Sequence, residues 1–170
     1  MWWTISKVLF WLFVINLGIT VGAGLYEHRI VLPRWIRSSP RDASHWNAEA
    51  ARQDDVGRKF WAFVTTIPLT LLMFANLAAA WELPPSSGRG WWLAAGFLTF
   101  ADRLFTFTYF IATMVGLMRA ADTPESVKTA TRWRRLNYLR VAVAVAAWLA
   151  ALNAFALLHE SPIGSLRIVF

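Results

Sequence analysis

The sequence predicts an all-α integral membrane protein, built as an antiparallel bundle of four helices. Of the 170 residues, 57% are hydrophobic and only 16% are charged, a balance too apolar for an ordinary water-soluble domain. The apolar residues form four runs of about 20 residues or more, the length that a helix needs to cross a bilayer. The sequence contains no cysteine, which excludes disulfides, thiolate metal sites and dithiol redox chemistry.

The predicted spans form a single domain and cover residues 7–26, 60–81, 91–117 and 136–158. Each is expected to be helical, because lipid offers backbone groups no hydrogen-bond partner. The first run is too long for a signal-peptide core and no cleavage motif follows it, so we interpret it as a span. Pro84 and Pro85 interrupt the helix between the second and third runs, which predicts that these two spans are antiparallel.

Two longer connections, residues 27–59 and 118–135, join the other spans. In the first we expect a short helix over residues 44–55 with Ser44 as its N-cap. In the second, Thr123-Pro124 is a typical helix start, because an N-cap residue is followed by a proline at the first helical position. The helix that begins there is expected to continue into the fourth span.

The distribution of lysine and arginine predicts the orientation. The two longer connections hold seven and five of these residues, twelve together, whereas the opposite side holds Lys7, Arg89 and Arg167. The positive-inside rule therefore places both connections in the cytoplasm and both termini outside it, and we expect the inner membrane of a bacterium. The net charge of +7 arises mainly from these connections, which favours anionic lipid over nucleic acid as a partner.

Tryptophans lie near the predicted ends of the spans, where their amphipathic rings favour the headgroup region. They are therefore interpreted as anchors. The outer belt is expected to contain Trp2, Trp3, Trp81, Trp91 and Trp92, and the inner belt Trp35, Trp61 and Trp133.

Asp102 and Arg103 form a charged pair within the third predicted span, close to the middle of the bilayer. Ionisable groups at that depth normally face the interior of a bundle and either fix its packing or mark a functional site. Neighbouring residues point about 100° apart on a helix, so each is expected to find a partner on another helix, although a long arginine stem can bend toward a nearby carboxylate. The amides of Asn16, Asn76 and Asn153 are the candidates. A structural pin and a proton or ligand site both remain open.

A second polar cluster is predicted at the cytoplasmic ends of the first and fourth spans. Trp133, Asn137 and Arg140 are spaced four and three residues apart, so they share one face of a helix. Glu27 lies at a matching depth on the first span and is expected to be the counter-ion of Arg140. His28 follows it directly in the sequence.

An interfacial ion pair with no further role is one interpretation of this cluster. The other is a pocket in which Glu27 or His28 is the catalytic base and removes a proton from a phenol or an anthrone-like carbon acid. Arg140 and Asn137 would then stabilise the anion. Two aromatic side chains are expected to bind the substrate, and they are Tyr26 and Trp133.

The string GLYEHRIVLPRW at residues 24–35, with Phe60-Trp61, Tyr109-Phe110 and residues 132–140, resembles the DUF1772 family of small four-span membrane proteins. The resemblance extends over nearly the whole chain. That family is similar to fungal anthrone oxygenases, which use dioxygen to convert anthrones to anthraquinones without an established cofactor. It implies a lipophilic aromatic substrate but assigns no catalytic residue, and Asp102 is not a feature of the family.

No metal site and no cofactor are predicted, because the three histidines lack metal-ligand spacing and no glycine-rich phosphate loop is present. Two hypotheses follow. The first is a cofactor-independent oxygenase or related oxidoreductase that acts on a lipophilic aromatic molecule. The second is a non-catalytic protein that binds lipid or a small molecule, or that packs as an accessory subunit against a membrane partner or another copy of itself. A transporter is a more distant third, because four spans offer little for alternating access.

Overall fold

Helices account for most of the structure, a computed structural model that describes residues 2–37 and 44–159. Long apolar runs favour helices because each backbone N–H then bonds within its own segment. In chain order, and counting a π-helical stretch with the helix that it continues, the described helices are α1 (residues 2–35), α2 (Ala48–Asp54), α3 (residues 57–81), α4 (residues 87–119) and α5 (Pro124–His159). A two-stranded antiparallel ribbon pairs β1 (Ile36–Arg37) with β2 (His45–Trp46).

Three of the long helices contain a π-helical stretch, in which the backbone bonds to the fifth rather than the fourth residue along. In α1, the π-helical residues Glu27–Val31 separate the α-helical parts Trp2–Tyr26 and Leu32–Trp35. In α3, they are Gly57–Thr66, followed by the α-helical Ile67–Trp81. In α4, Thr106–Phe110 lies between Ser87–Phe105 and Ile111–Arg119.

Three helices are long and apolar enough to cross a membrane: Ile5–Trp35, Gly57–Trp81 and Pro124–Leu158. This result confirms three of the predicted spans as helices of membrane-spanning length. The third predicted span, residues 91–117, lies in α4, which does not meet the same criteria of length and composition. Its charged and hydroxyl-bearing side chains, Asp102 and Arg103 among them, lower its apolar character.

The long helices pack in neighbouring pairs. Helix α1 contacts α3 and α5, and α4 contacts the same two helices. The packing between α4 and α5 is the most extensive, and Gly96 of α4 lies so close to α3 that a Cβ there would be 2.8 Å from Leu77 Cγ. Small residues at such positions let two helix backbones approach closely.

The helix boundaries differ from the predicted ones mainly in the connections. The predicted connection 27–59 begins inside α1, which continues to Trp35 because the change to π-helix keeps the backbone bonded. The predicted connection 118–135 is shorter too, since α5 begins at Pro124, where Ser126 N donates to Thr123 Oγ1 over 3.2 Å. That helix runs without a break into the fourth span, as predicted.

The short helix of the first connection is Ala48–Asp54, not residues 44–55. Its N-cap is Asn47, whose Oδ1 accepts a hydrogen bond from Ala50 N over 3.0 Å, so Ser44 is not the cap. The sequence analysis did not predict the β ribbon just before it. Pro40, Arg41 and Arg167 lie outside the described residues.

Two apolar cores lie at opposite ends of the bundle. The first is formed by α1, α3, α4 and α5 around Phe13, Leu17 and Met73. The second, around Trp35, Phe110 and Trp133, is formed with α2 and the β ribbon on the side of the connections. The buried side chains Glu27, Asp102, Arg103 and Asn137 belong to neither core.

Several tryptophans are buried and do not match the predicted anchoring role. Trp92 is stacked on Phe10 and donates to Asn76 Oδ1, while Trp35 donates to Asp54 Oδ2 over 2.8 Å. Trp133 is buried as well, whereas Trp81 and Trp91 are 64% and 47% exposed. The side chains of Trp2 and Trp3 lie outside the described part of the structure. The aromatic surfaces therefore stabilise the interior, where each indole N–H finds a partner.

Candidate functional site

A cavity of about 260 Å³ lies within the half of the bundle that carries the two longer connections. We call it the cavity. Aromatic, apolar and a few charged side chains surround it, a composition typical of small-molecule sites. The lining residues used below are Glu27, Trp35, Trp61, Thr106, Phe110, Trp133 and Arg140.

All three π-helical stretches contribute to this cavity. Glu27 comes from the stretch in α1, Trp61 from the one in α3, and Thr106 and Phe110 from the one in α4. An extra residue in a helical turn rotates the side chains that follow it, and such turns are frequent at functional sites. The coincidence of three of them around one cavity indicates that the backbone is shaped around it.

Pro68 explains part of the irregular backbone in α3. It lacks the N–H that would bond to Val64 O, so that carbonyl needs another donor. Asn16 Nδ2 of α1 supplies it over 2.9 Å. The amide of Asn16 is therefore used in packing α1 against α3, not by the charged residues of α4.

Glu27 is buried, with 5% of its surface exposed, and each of its two oxygens accepts a hydrogen bond from a neutral donor. Trp61 Nε1 donates to Oε1 over 2.9 Å, and Asn137 Nδ2 donates to Oε2 over 3.4 Å. These two contacts link α1 to both α3 and α5. They hold the carboxyl group at the wall of the cavity.

Arg140 contacts aromatic rings rather than a carboxylate. Its guanidinium carbon is 4.9 Å from the centre of the Phe110 ring and 5.5 Å from that of Trp61. In the part of the chain that the structure describes, it forms no hydrogen bond and no ion pair within 4 Å. The predicted Glu27–Arg140 ion pair is therefore wrong, because Glu27 is held by Trp61 and Asn137 instead.

The structure brings together some of the predicted site residues and separates others. Glu27, Trp133 and Arg140 line the cavity. Asn137 does not line it, but its side chain donates a hydrogen bond to Glu27. Tyr26 does not: 61% of its surface is exposed on the outside of α1, one helical step away from Glu27. The expected substrate-binding role of Tyr26 in this cavity is therefore wrong.

His28 is buried behind Glu27 and does not line the cavity. Its ring stacks on the ring of Tyr138, with centroids 3.9 Å apart and planes inclined by 20°. This places the imidazole between α1 and α5. Of the two residues considered as a base, only Glu27 is at the cavity wall.

Asp102 and Arg103 are both buried and pair with each other. Arg103 Nε donates to Asp102 Oδ2 over 3.0 Å, and Arg103 Nη2 donates to the same oxygen. The expectation that each finds its partner on another helix is wrong, because the long arginine stem bends back along α4. Within the described residues, Asp102 Oδ1 has no hydrogen-bond partner.

The amides that were expected to serve this pair have other roles. Asn76 Nδ2 donates to Leu9 O over 3.1 Å, and its oxygen accepts from Trp92. Asn153 is exposed on α5. Asn137 is fully buried beside Glu27, and its Oδ1 has no partner among the described residues.

Of the residues that line the cavity, Glu27, Trp133 and Arg140 were predicted as site residues, whereas Trp61 was assigned to an anchoring belt. Thr106 and Phe110, about one and two turns beyond Arg103 on α4, were not predicted. To predict them, one would need to know which face of α4 packs against α5. The π-helical stretch rotates that face, and no sequence pattern shows where the stretch lies.

A metal site is not formed within residues 2–37 and 44–159, where no three histidine, aspartate or glutamate side chains come together. The charged groups at the cavity are the carboxyl groups of Glu27 and Asp55 and the guanidinium groups of Arg58 and Arg140. Arg58 and Asp55 pair with each other over 2.8 Å, which leaves Glu27 and Arg140, on different helices, for a bound molecule. This combination can accept a proton from a bound molecule and can hold an anionic oxygen.

Comparisons of the chain with protein family models, with curated proteins and with solved structures find no match.

Proposed function

We propose that this chain is a four-span membrane protein whose cavity binds a lipophilic, flat molecule with an acidic or carbonyl oxygen. Three helices of membrane-spanning length support the membrane location. For α4, the support is its length of 33 residues and its packing between α3 and α5. The proposal includes the orientation in which both termini lie outside the cytoplasm.

The main support for the proposed ligand class is that Arg140 forms no hydrogen bond and no ion pair within 4 Å among the described residues. A guanidinium that lacks a carboxylate or carbonyl partner in an apolar cavity is poorly solvated, so an oxygen of a ligand would gain a strong charge-assisted hydrogen bond there. Phe110, Trp61 and Trp133 present ring surfaces for a flat molecule. Glu27 completes the polar side of the cavity.

The test compares two ligands of similar shape on the purified protein in detergent. Anthrone carries a carbonyl oxygen, whereas anthracene has the same three fused rings and no oxygen. We expect anthrone to bind more tightly, and Arg140→Met to weaken its binding by about tenfold or more, the effect of losing a hydrogen bond to a charged group. Isothermal titration calorimetry measures both affinities.

Arg135→Met is the matched control, because Arg135 is an exposed arginine on the same helix and does not line the cavity. This variant is expected to bind anthrone like the wild type. Equal binding of anthrone and anthracene by the wild type, or an unchanged affinity in Arg140→Met, would remove the proposed role of the guanidinium.

A second candidate function is favoured by the position of Glu27. In a cofactor-independent oxygenase, this carboxylate would remove a proton from the CH₂ group opposite the anthrone carbonyl, and Arg140 would hold the resulting oxyanion. Dioxygen then oxidises that carbon: one oxygen atom becomes the second carbonyl, and the other leaves as water with the two hydrogens of the CH₂ group. The resemblance to the DUF1772 family implies the same chemistry, but no family model matches the chain.

Oxygen consumption with anthrone as substrate tests this second function. We expect turnover by the wild type, and a loss of most of the rate in the double variant Glu27→Gln, Arg140→Ala. Equal turnover by the two proteins would contradict an enzymatic role for these residues. Binding of anthrone without turnover by the wild type would leave the binding function as the one supported.

A further inference from the structure

A second concave surface lies on the other side of Arg140, between α4 and α5. It has a volume of about 430 Å³, and we call it the cleft. Leu104 and Phe105 of α4 and Leu139 and Val143 of α5 form its apolar walls, while Asp102 and Arg140 supply its charged groups. The cavity and the cleft share Arg140 as a common lining residue.

The cleft opens on the outer, apolar surface of the bundle. Leu104 and Leu139, on its two walls, are 55% and 58% exposed, and Phe107 beside them on α4 is 50% exposed. In a protein that lies in a membrane, an apolar surface of this kind faces lipid chains. A hydrocarbon chain from the bilayer can therefore enter the cleft without crossing water.

The charges at the inner end of the cleft favour an anion. The carboxylate of Asp102 is already paired with Arg103, so this pair has little net charge. Arg140 forms no hydrogen bond and no ion pair within 4 Å among the described residues, and it interacts with Asp102 and Glu27 only at longer range. A guanidinium presents a planar fork of N–H donors that matches a carboxylate or a phosphate group.

We infer that the cleft is a binding site for an acyl chain with an anionic head, which lies along Leu104 and Leu139 and pairs its head with Arg140. A fatty acid and an anionic phospholipid share this chemistry. The inference uses the same guanidinium as the proposed function, but it does not require an aromatic ligand in the cavity. It assigns to Arg140 a second ligand, approached from the lipid.

The experiment measures binding of radiolabelled palmitate to the purified protein in detergent, with unlabelled palmitate, palmityl alcohol and phosphatidylglycerol as competitors. Palmityl alcohol has the same chain without the charge, and phosphatidylglycerol carries the anionic phosphate head on two chains. We expect palmitate to compete at least tenfold better than the alcohol. Competition by phosphatidylglycerol at lower concentration than palmitate would identify the phospholipid as the source of the head group.

Leu139→Trp separates the cleft from the cavity. The larger ring fills the cleft, whereas Leu139 does not line the cavity. We expect this variant to lose palmitate binding by about tenfold or more while it still binds anthrone. Leu149→Trp is the control, because Leu149 is similarly exposed on α5 but lies outside the cleft.

Two results would overturn the inference: equal competition by palmitate and palmityl alcohol, or unchanged palmitate binding in Leu139→Trp. Circular dichroism and gel filtration establish that each variant is folded. Failure of the proposed function is a separate result, since it is measured as the preference for anthrone over anthracene, which neither the palmitate competition nor Leu139→Trp measures.

Discussion

Glu27 is surrounded by groups from three helices, and its hydrogen bonds come from an indole and an amide rather than from an arginine. A carboxyl group held in this way is fixed in position while the nearby guanidinium stays free for other partners. Glu27 and Arg140 therefore form a preorganised polar surface rather than an ion pair, because the two groups do not contact each other directly.

Removal of the indole donor tests how much this contact stabilises the fold. We expect Trp61→Phe to lower the free energy of unfolding by about 2 kcal/mol, because a buried carboxyl oxygen then loses its partner. Titration with a denaturing detergent, followed by circular dichroism, measures the change. Trp91→Phe is the control, since Trp91 is half exposed. Equal stability of the two variants would contradict the structural role of the Trp61–Glu27 bond.

For the buried Asp102–Arg103 pair on α4, removing one charge and removing both are expected to have different effects on stability. Asp102→Leu alone leaves Arg103 buried without its partner and is expected to destabilise the protein by about 3–5 kcal/mol. The double variant Asp102→Leu, Arg103→Met removes both charges and should recover part of that loss. Unfolding free energies of the single and double variants provide the test. A double variant that is no more stable than Asp102→Leu alone would contradict the pairing.

Sequence spacing was sufficient to bring Trp133 and Arg140 to one site, because residues four and three apart on one helix share a face. It was not sufficient for partners on different helices. Glu27 and Arg140 were matched by depth and charge alone, and the structure places neutral donors between them. The prediction for Tyr26 was wrong for a related reason. Tyr26 and Glu27 are neighbours, and a step of one residue along a helix is a rotation of about 100°, which places the Tyr26 ring on the outer surface.

At the scale of helices, close approach between α3 and α4 depends on a glycine. Gly96→Ala is expected to destabilise the protein by about 1–3 kcal/mol, because the new Cβ would lie 2.8 Å from Leu77 Cγ and force the helices to shift. In Gly22→Ala the new Cβ meets no atom within 4 Å. That control should gain about 0.5–1 kcal/mol from the better helix propensity of alanine. Thermal unfolding that shows the same sign for both variants would contradict this packing.

A contact between the two longer connections is expected to make the stability of the protein depend on pH. Asp122 accepts from Trp46 N over 2.9 Å and lies 2.8 Å from His45 Nδ1, and these bonds hold the pKa of its carboxyl below the ordinary range. A lowered pKa in the folded state means that the contribution to stability is present at neutral pH. It is lost as the pH falls through that pKa.

Asp122→Asn tests this contact. We expect the wild type to unfold at a higher temperature than the variant at pH 7, and the difference to shrink as the pH is lowered towards 3. Thermal unfolding across this range, followed by circular dichroism, is the measurement. A difference that stays constant at acid pH would show that the charge of Asp122 is not involved.

The approximate positions of the long helices and the start of α5 could be predicted, because apolar runs and the Thr123-Pro124 cap are visible in the sequence. The π-helical stretches and the β ribbon could not. Their formation depends on tertiary contacts such as Asn16 with Val64 O and Asn47 N with Trp35 O. These contacts join residues far apart in the chain, and local patterns do not record them.

The whole molecule has its charged side chains concentrated at one end, which predicts how it lies in the membrane. The chain has no cysteine, so single cysteines at Ser87 and Ala121, both exposed and on either side of α4, can be labelled cleanly. An impermeant maleimide is expected to label Ser87→Cys in intact cells. It should label Ala121→Cys only after the membrane is opened, because positively charged loops stay in the cytoplasm.

The reverse labelling pattern would overturn the orientation. Equal labelling of both positions in intact cells would show that α4 does not cross the bilayer. The experiment therefore also decides the part of the topology that hydropathy leaves open, since α4 alone among the long helices is not apolar enough to qualify as a span by composition.

The mouth of the cavity has a consequence for how any ligand is supplied. Of the residues that line it, Trp35 and Ala51 are buried, whereas Ile111 and Val115 of α4 are 44% and 38% exposed on an apolar surface. A guest molecule that enters past Ile111 and Val115 comes from the surrounding hydrocarbon, and its abundance is set by the mole fraction dissolved there. Occupancy should follow the ratio of guest to lipid, so diluting a vesicle suspension with buffer should leave the bound fraction of a strongly partitioning guest nearly constant.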